Sequence, residues 1–330
     1  MRSPVFTTIV AAAVWMVVLL HPSGADAEYS KMYKDYDTSS DKFFDAFDFS
    51  TDRDLNKAKV DYVNHATALE KGFIKARDGS IYLGVDHKNV VSPDARGRQS
   101  VRLESKDQFT HGLFLLDLKH MPYGCGTWPA FWTLGSGPWP HNGEIDIIEG
   151  VANQPGNLMA LHTSPGCRNS ALSHPANFTK SLNCDIAAEG QYKNQGCSLR
   201  DRNPWSWGKP FNDLGGGHIA MEWTSDFIKV WMWPRDAEPK DLWGKNPEPK
   251  GWGEPAGMFN GECEIDKFFK EHRIIFNITF CGDWAGNTWD NPDGCAAATG
   301  EKSCDAYVMN NPEAFKNAYW DINKLRVWKS

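Results

Sequence analysis

GEIDIIEG, residues 143 to 150, sets Glu144, Asp146 and Glu149 among three isoleucines. β-Branched residues favour a strand, yet a buried strand does not tolerate charge without a purpose. That conflict marks the segment as a candidate site. Side chains alternate along a strand, so Glu144 and Asp146 share a face while Glu149, an odd number of positions on, belongs to the other. A β-bulge at Ile147 and Ile148 inserts the extra residue that returns Glu149 to the side of the other two acids. The expectation is an antiparallel strand with three carboxylates on one groove.

With the bulge, Glu144 and Glu149 stand about four strand steps apart, roughly 13 Å between Cα atoms. Glutamate side chains leaning together close that gap to the ~5 to 5.5 Å carboxyl separation of a retaining glycosidase, rather than the wider gap that holds an attacking water. Taken alone, the pattern equally fits a half-exposed edge strand whose acids are solvated. Its flanks decide.

Residues 1 to 27 have the pattern of a secretory signal: Arg2, a mostly apolar run from Val5 to Leu20, and small residues at Ala25 and Ala27, with cleavage expected after Ala27. The apolar core is short for a membrane anchor. No later segment reaches transmembrane length. The remainder, 28 to 330, has no linker, repeat or low-complexity tract and reads as a single domain. Eight cysteines, seven of them beyond residue 160, fit an oxidising, extracellular compartment and a set of loop-bracing disulfides, with the pairing open. No CxxC pair points to zinc or redox chemistry.

A net charge of -7 without a basic stripe argues against nucleic acid. A neutral polymer suits the fifteen tryptophans better, since exposed indoles stack on sugar rings, although any single tryptophan is by default a packing residue. Two sequons, at Asn177 and Asn277, permit N-glycosylation; the first lies in a polar loop and the second in a strand.

Short strands divided by turns run from Lys42 onward, the first patterned by Phe43, Phe47 and Phe49. SIYLGVD (80 to 86) and QSVRLES (99 to 105) follow; in the latter Arg102 lies on the polar face, which is either solvent or a concave binding face. GTWPAFWTLG (126 to 135) puts Trp128, Ala130 and Trp132 on one side and leads past Trp139 into the acidic strand. NLMALHTSPG (157 to 166) reads as its partner, with His162 placed across from Glu144 or Asp146. Residues 164 to 217 are loop-like, 218 to 235 form a hairpin, and the Pro- and Gly-rich stretch 234 to 257 is a long surface loop, a candidate cover for the cleft. RIIFNITFCGDWAG (273 to 286) returns to strand and ends at Trp284, and WDINKLRVWK (320 to 329) closes the chain. Helical periodicity is scarce. Count and order point to an all-β fold, an antiparallel β-sandwich of two sheets, a jelly roll of the concanavalin A-like kind.

NGEIDIIEG preceded by WPAFWTLG and followed by LMALHT and ITFCGDWAG resembles the laminarinase, or endo-1,3(4)-β-glucanase, branch of glycoside hydrolase family 16, over residues 40 to 330. The resemblance implies an endo-β-glucanase acting on a β-glucan polysaccharide; with the signal segment the expectation is a secreted protein, and a monomer. It makes Glu144 the nucleophile, Glu149 the general acid/base and Asp146 the assisting carboxylate. Trp132, Trp139 and Trp284 resemble the aromatic walls of the glucan cleft, His162 a contact near the reacting sugar, and Arg102 a contact to sugar hydroxyls. No cofactor is required and no metal ligand is assigned; family members often hold a structural calcium far from the cleft, and the resemblance leaves such an ion possible here, with no Asp-rich loop to place it.

Two rival functions follow from the same residues. A glucan-binding wall protein would keep the sandwich, but has no use for an intact triple of acids. A wall-remodelling transglycosylase would share the nucleophile and differ only in whether sugar or water enters the acceptor side.

Overall fold

Two antiparallel sheets of eight strands each carry the fold. The computed structural model describes residues 29–170, 178–292 and 294–329. The first sheet runs from edge to edge as Phe178–Ser181, Cys197–Arg200, Leu158–His162, Glu144–Glu149, Thr127–Gly135, His272–Phe280, Arg102–Ser105 and Phe47–Phe49. The acidic strand therefore lies inside the sheet, paired on both sides. The second sheet runs as Gly257–Phe259, Ile228–Pro234, Gly217–Trp223, Gly112–His120, Trp320–Lys329, Ser80–Leu83 and Ile74–Arg77, with Lys31–Tyr36 paired along Trp320–Lys329.

The facing sides of the two sheets form one core. Phe131, Ile145, Ile147, Ile148, Met159, Leu161 and Phe276 from the first sheet meet Phe114, Leu116, Leu118, Met221, Val230 and Ile322 from the second. Burying an aliphatic side chain of this size contributes roughly 1.5–3 kcal/mol. Each of the three isoleucines of the acidic strand is fully buried, so the strand gains that amount three times over. Without a bulge Ile148 would turn out to the groove and Glu149 into the core, where an unpaired carboxylate is far costlier than a local break in the ladder. The bulge is the cheaper arrangement.

Several local expectations change. Phe43 lies in a helical turn, Asp41–Ala46, and only Phe47–Phe49 is strand. QSVRLES breaks at Val101 into two short strands. The loop-like stretch 164–217 contributes two strands to the edge of the first sheet, Phe178–Ser181 and Cys197–Arg200. Their sequences are short and polar, and pairing with Leu158–His162 overrides weak local propensity. Short helices also occur, among them His65–Glu70 and Cys304–Asn310.

The Pro- and Gly-rich loop is not over the groove. Leu242 and Trp252 pack with Leu113, Leu115, Ala220, Trp231 and Trp328 in a second apolar cluster. Leu113 and Leu115 alternate with Phe114 and Leu116 of the main core, so this cluster covers the outer face of the second sheet, on the far side of the sandwich from the acids. Tryptophans drew the loop to whichever face offered them an apolar bed.

All eight cysteines pair, as Cys125–Cys295, Cys167–Cys263, Cys184–Cys197 and Cys281–Cys304. They join loops, strand ends and the starts of the helices Cys295–Thr299 and Cys304–Asn310. Among the described residues no helix is long and apolar enough to cross a membrane. The expected signal segment and Asn177 lie outside the described residues. Asn277 is buried within His272–Phe280, and both ends of its amide are engaged, by Trp132 and by Tyr62.

Candidate active site

The acidic strand is framed by two glycines that admit no side chain. At Gly143, where φ is +78°, a Cβ would lie 2.4 Å from the Phe269 ring and 2.5 Å from the Phe268 carbonyl oxygen. At Gly150 a Cβ would meet the Gln154 amide at 2.1 Å. Between them the register jumps. Asp146 pairs with Trp132, but Ile148 pairs with Phe131 and Glu149 with Ala130, and on the other side Asp146 pairs with Ala160 and Glu149 with Leu158. Ile147 and Ile148 are thus the bulge, both turned into the core, and Glu144, Asp146 and Glu149 share the outward face.

Each glutamate receives an indole N–H. Trp139 Nε1 donates to Glu144 Oε2 at 2.7 Å, and Trp128 Nε1 donates to Glu149 Oε1 at 2.8 Å. His162 sits directly across from Glu144 in the ladder, with Nε2 3.1 Å from Asp146 Oδ2 and 3.7 Å from Glu144 Oε1. Asp146 is the most enclosed of the acids, its side chain 2% exposed.

Three acids in so small a volume disturb one another. Burial, then the Asp146 charge, push Glu144 up to about 7, while His162 and the Trp139 N–H pull it back. Burial and Asp146 likewise hold Glu149 well above the usual carboxylate range, against the Trp128 N–H. Burial alone would depress His162, but Glu144, Asp146 and Glu149 outweigh it and raise the imidazole to about 9. At neutral pH the imidazole is therefore a cation, set beside Asp146 and Glu144. The donor atoms of Glu144, Asp146 and His162 lie within 4.8 Å of one another, near enough to surround a cation, but the protonated imidazole already supplies positive charge there.

Aromatic side chains continue the groove across the neighbouring strands. Trp132 is pinned by its Nε1 to Asn277 Oδ1 at 2.8 Å, and the Arg102 guanidinium lies 5.0 Å from its ring centre. Arg102 is itself held by Glu104, at 2.8 Å. Trp284 stands edge-on to Trp128 with ring centres 5.6 Å apart. Trp139 is 40% exposed, and its ring lies 6.3 Å from that of His162. Its loop is anchored by the buried His272, which bonds the Asn142 carbonyl oxygen through Nε2 at 2.7 Å and Thr133 Oγ1 through Nδ1 at 2.8 Å.

The structure thus brings Arg102, Trp132, Trp139, Glu144, Asp146, Glu149, His162 and Trp284 to one side of the first sheet. It adds residues that the sequence reading did not assign to the site. Trp128 shares the alternation of Trp132, so a period-two count along Thr127–Gly135 was enough to find it. Asn277 is visible in the sequence only as a sequon. Asn157 bonds the bulge itself, donating from Nδ2 to the Ile147 carbonyl oxygen at 2.8 Å and accepting the Glu149 N–H on Oδ1 at 3.0 Å; no sequence signal marks it.

Comparison with known proteins gives a consistent picture. A family model described as "XgeA-like, catalytic GH16 domain" matches residues 47–328. An endo-1,3(4)-β-glucanase of Arthroderma benhamiae is 44% identical over 299 residues, 89% of this chain and 64% of that protein's length. This chain therefore spans somewhat less than two thirds of that relative. Among solved structures, the family 16 laminarinase 16A from Phanerochaete chrysosporium, with 6-O-glucosyl-laminaritriose in both donor and acceptor sites, is 39% identical with a TM-score of 0.85, covering 92% of this chain and all of that one. An elongating family 16 β-1,3-glucosyltransferase is 44% identical with a TM-score of 0.83, covering 91% of this chain and 99% of that one.

Proposed function

Since the chain belongs to glycoside hydrolase family 16, we propose that it is a secreted, retaining endo-β-glucanase that cuts internal β-1,3 bonds, and mixed β-1,3/1,4 bonds, by double displacement. The observation that carries the reading is the bulged strand, which presents Glu144 and Glu149 on one face, each with its own indole donor.

In the first step a Glu144 oxygen attacks the anomeric carbon and the glycosidic C–O bond breaks. Glu149 gives its proton to the departing oxygen, so the leaving sugar departs neutral. In the second step Glu149, now ionised, takes a proton from water as that water attacks the anomeric carbon and frees Glu144. The charge pattern supports this division of labour. His162 and Trp139 both favour the ionised form of Glu144, which a nucleophile requires, whereas burial and the Asp146 charge hold Glu149 well above the usual carboxylate range, which suits a proton donor. Asp146 is placed to keep His162 cationic and to hold Glu144 in line. Trp132, Trp139 and Trp284 supply faces for glucosyl rings, and Arg102 reaches sugar hydroxyls.

A second reading is favoured by one observation. The 44% identical structural neighbour is a β-1,3-glucosyltransferase. The same glycosyl-enzyme would then pass to a sugar hydroxyl in place of water, and Glu149 would deprotonate that hydroxyl. A purely glucan-binding role has no comparable support.

Reducing-sugar release and product length should be followed on laminarin, mixed-linkage β-glucan and xyloglucan, for the wild type and Glu144→Gln. Hydrolysis predicts new reducing ends on the first two and a loss of at least about 10³-fold in the variant, the order expected for a missing nucleophile. Products longer than the substrate, without net reducing-end gain, would assign the transferase reaction. Equal activity in the variant would remove Glu144 from the mechanism. An initial α-anomer by NMR would refute double displacement.

A further inference from the structure

We propose that Asn157 is the positioning residue of Glu149, fixing the bulge that turns this glutamate into the groove. The inference rests on the reading of Glu149 as acid/base given above. A bulge leaves backbone groups that the neighbouring strand cannot reach in register. Here these include the Ile147 carbonyl and the Glu149 N–H, at the point where pairing to Leu158–His162 jumps from Asp146 to Glu149. Asn157, fully buried one residue before that partner strand, takes both with the two ends of its amide. A side chain stands in for the missing rung.

The clamp is itself held. The Asn157 N–H donates to Ser206 Oγ at 3.0 Å, its carbonyl accepts the Asp201 N–H at 2.9 Å, and Ser206 Oγ donates to the Asn203 carbonyl at 2.7 Å. Gln154 from the same turn donates through Nε2 to the Glu149 carbonyl oxygen at 3.0 Å. Glu149 is therefore gripped at its N–H and its C=O by side chains of one turn. Glu149 has ladder partners too, Ala130 and Leu158, but it sits at the break in register, whereas Glu144 lies five residues away in the regular part of the strand, opposite Leu134 and His162. Loosening Asn157 should release the proton donor and leave the nucleophile in place.

That asymmetry has a kinetic signature which a general loss of structure would not give. Cleaving laminarin needs a proton on a sugar oxygen, whereas 2,4-dinitrophenolate leaves without one. For Asn157→Ala, kcat/KM on laminarin should fall about 10²-fold, the scale set by misplacing a catalytic group by about an ångström. On 2,4-dinitrophenyl β-laminaribioside it should change less than about 3-fold, because general acid catalysis contributes little there. Ser206→Ala, a milder change, should show the same selectivity at about 5-fold on laminarin, and it decides the question if Asn157→Ala does not fold. Glu149→Gln is the control. If it is selective between the two substrates and the folded Asn157 and Ser206 variants are not, Asn157 is only structural. If Glu149→Gln loses both substrates equally, the acid/base assignment fails and the proposal with it.

Discussion

Glu144 and His162 are direct partners across two antiparallel strands, with the imidazole Nε2 3.7 Å from Glu144 Oε1 and 3.1 Å from Asp146 Oδ2. The pair places a cation beside the proposed nucleophile. His162→Asn removes that cation and keeps a polar side chain of similar breadth. Glu144 should then bind its proton more tightly, since His162 is one of the groups that draws its pKa down from the effect of burial and Asp146. The acidic limb of the kcat/KM profile is expected to move up by about one pH unit, so that the variant loses more activity at pH 5 than at pH 8. An unchanged acidic limb would mean that His162 does not govern the ionisation of the nucleophile.

Glu144 also bears on stability. Its folded pKa, about 7, lies above the ordinary glutamate value of 4.5, so the folded state binds the proton more tightly than the unfolded chain does. Folding is therefore favoured below pH 4.5 relative to neutral pH, and this contribution is lost as pH rises from 4.5 through 7. Glu144→Gln removes the ionisation. It should raise stability at pH 8 by about 1–3 kcal/mol and have little effect at pH 4, measured by denaturant melts at both values. A variant less stable than wild type at pH 8 would contradict the account.

The Trp252 loop gives the opposite separation. Trp252 is buried on the outer face of the second sheet, edge-on to Trp231 at 5.6 Å and bonded to Asp241. Trp252→Ala should cost about 3–5 kcal/mol, the usual range for a large aromatic taken from an apolar cluster. The kcat per folded molecule should stay within about 2-fold of wild type, since no group of the groove loses a partner. A large fall in kcat at full folding would place this loop in the catalytic machinery.

How far the sequence can be read is clearest at the acidic strand. Ile145, Ile147 and Ile148 against Glu144, Asp146 and Glu149 is a pattern that only one register satisfies, so the bulge follows from alternation and the cost of a buried charge. His162 follows from pairing, and His272–Phe280 and Trp320–Lys329 are legible as strands. The side of the sandwich on which residues 234–257 lie does not follow, because a tryptophan-rich loop satisfies a groove and an apolar sheet face equally well. The edge strands between 164 and 217 are too short and polar to announce themselves. Asn157 is the hardest case: its importance lies in two backbone atoms ten and eight positions away, and asparagine in a turn is ordinary.

The most direct test of the central claim is to trap the intermediate. The protein should be incubated with 2-deoxy-2-fluoro-β-laminaribiosyl fluoride, digested, and the labelled peptide sequenced by mass spectrometry. One fluoroglycosyl group per molecule is expected, esterified to Glu144. A label on Glu149 or Asp146, or inactivation with no covalent adduct, would contradict it.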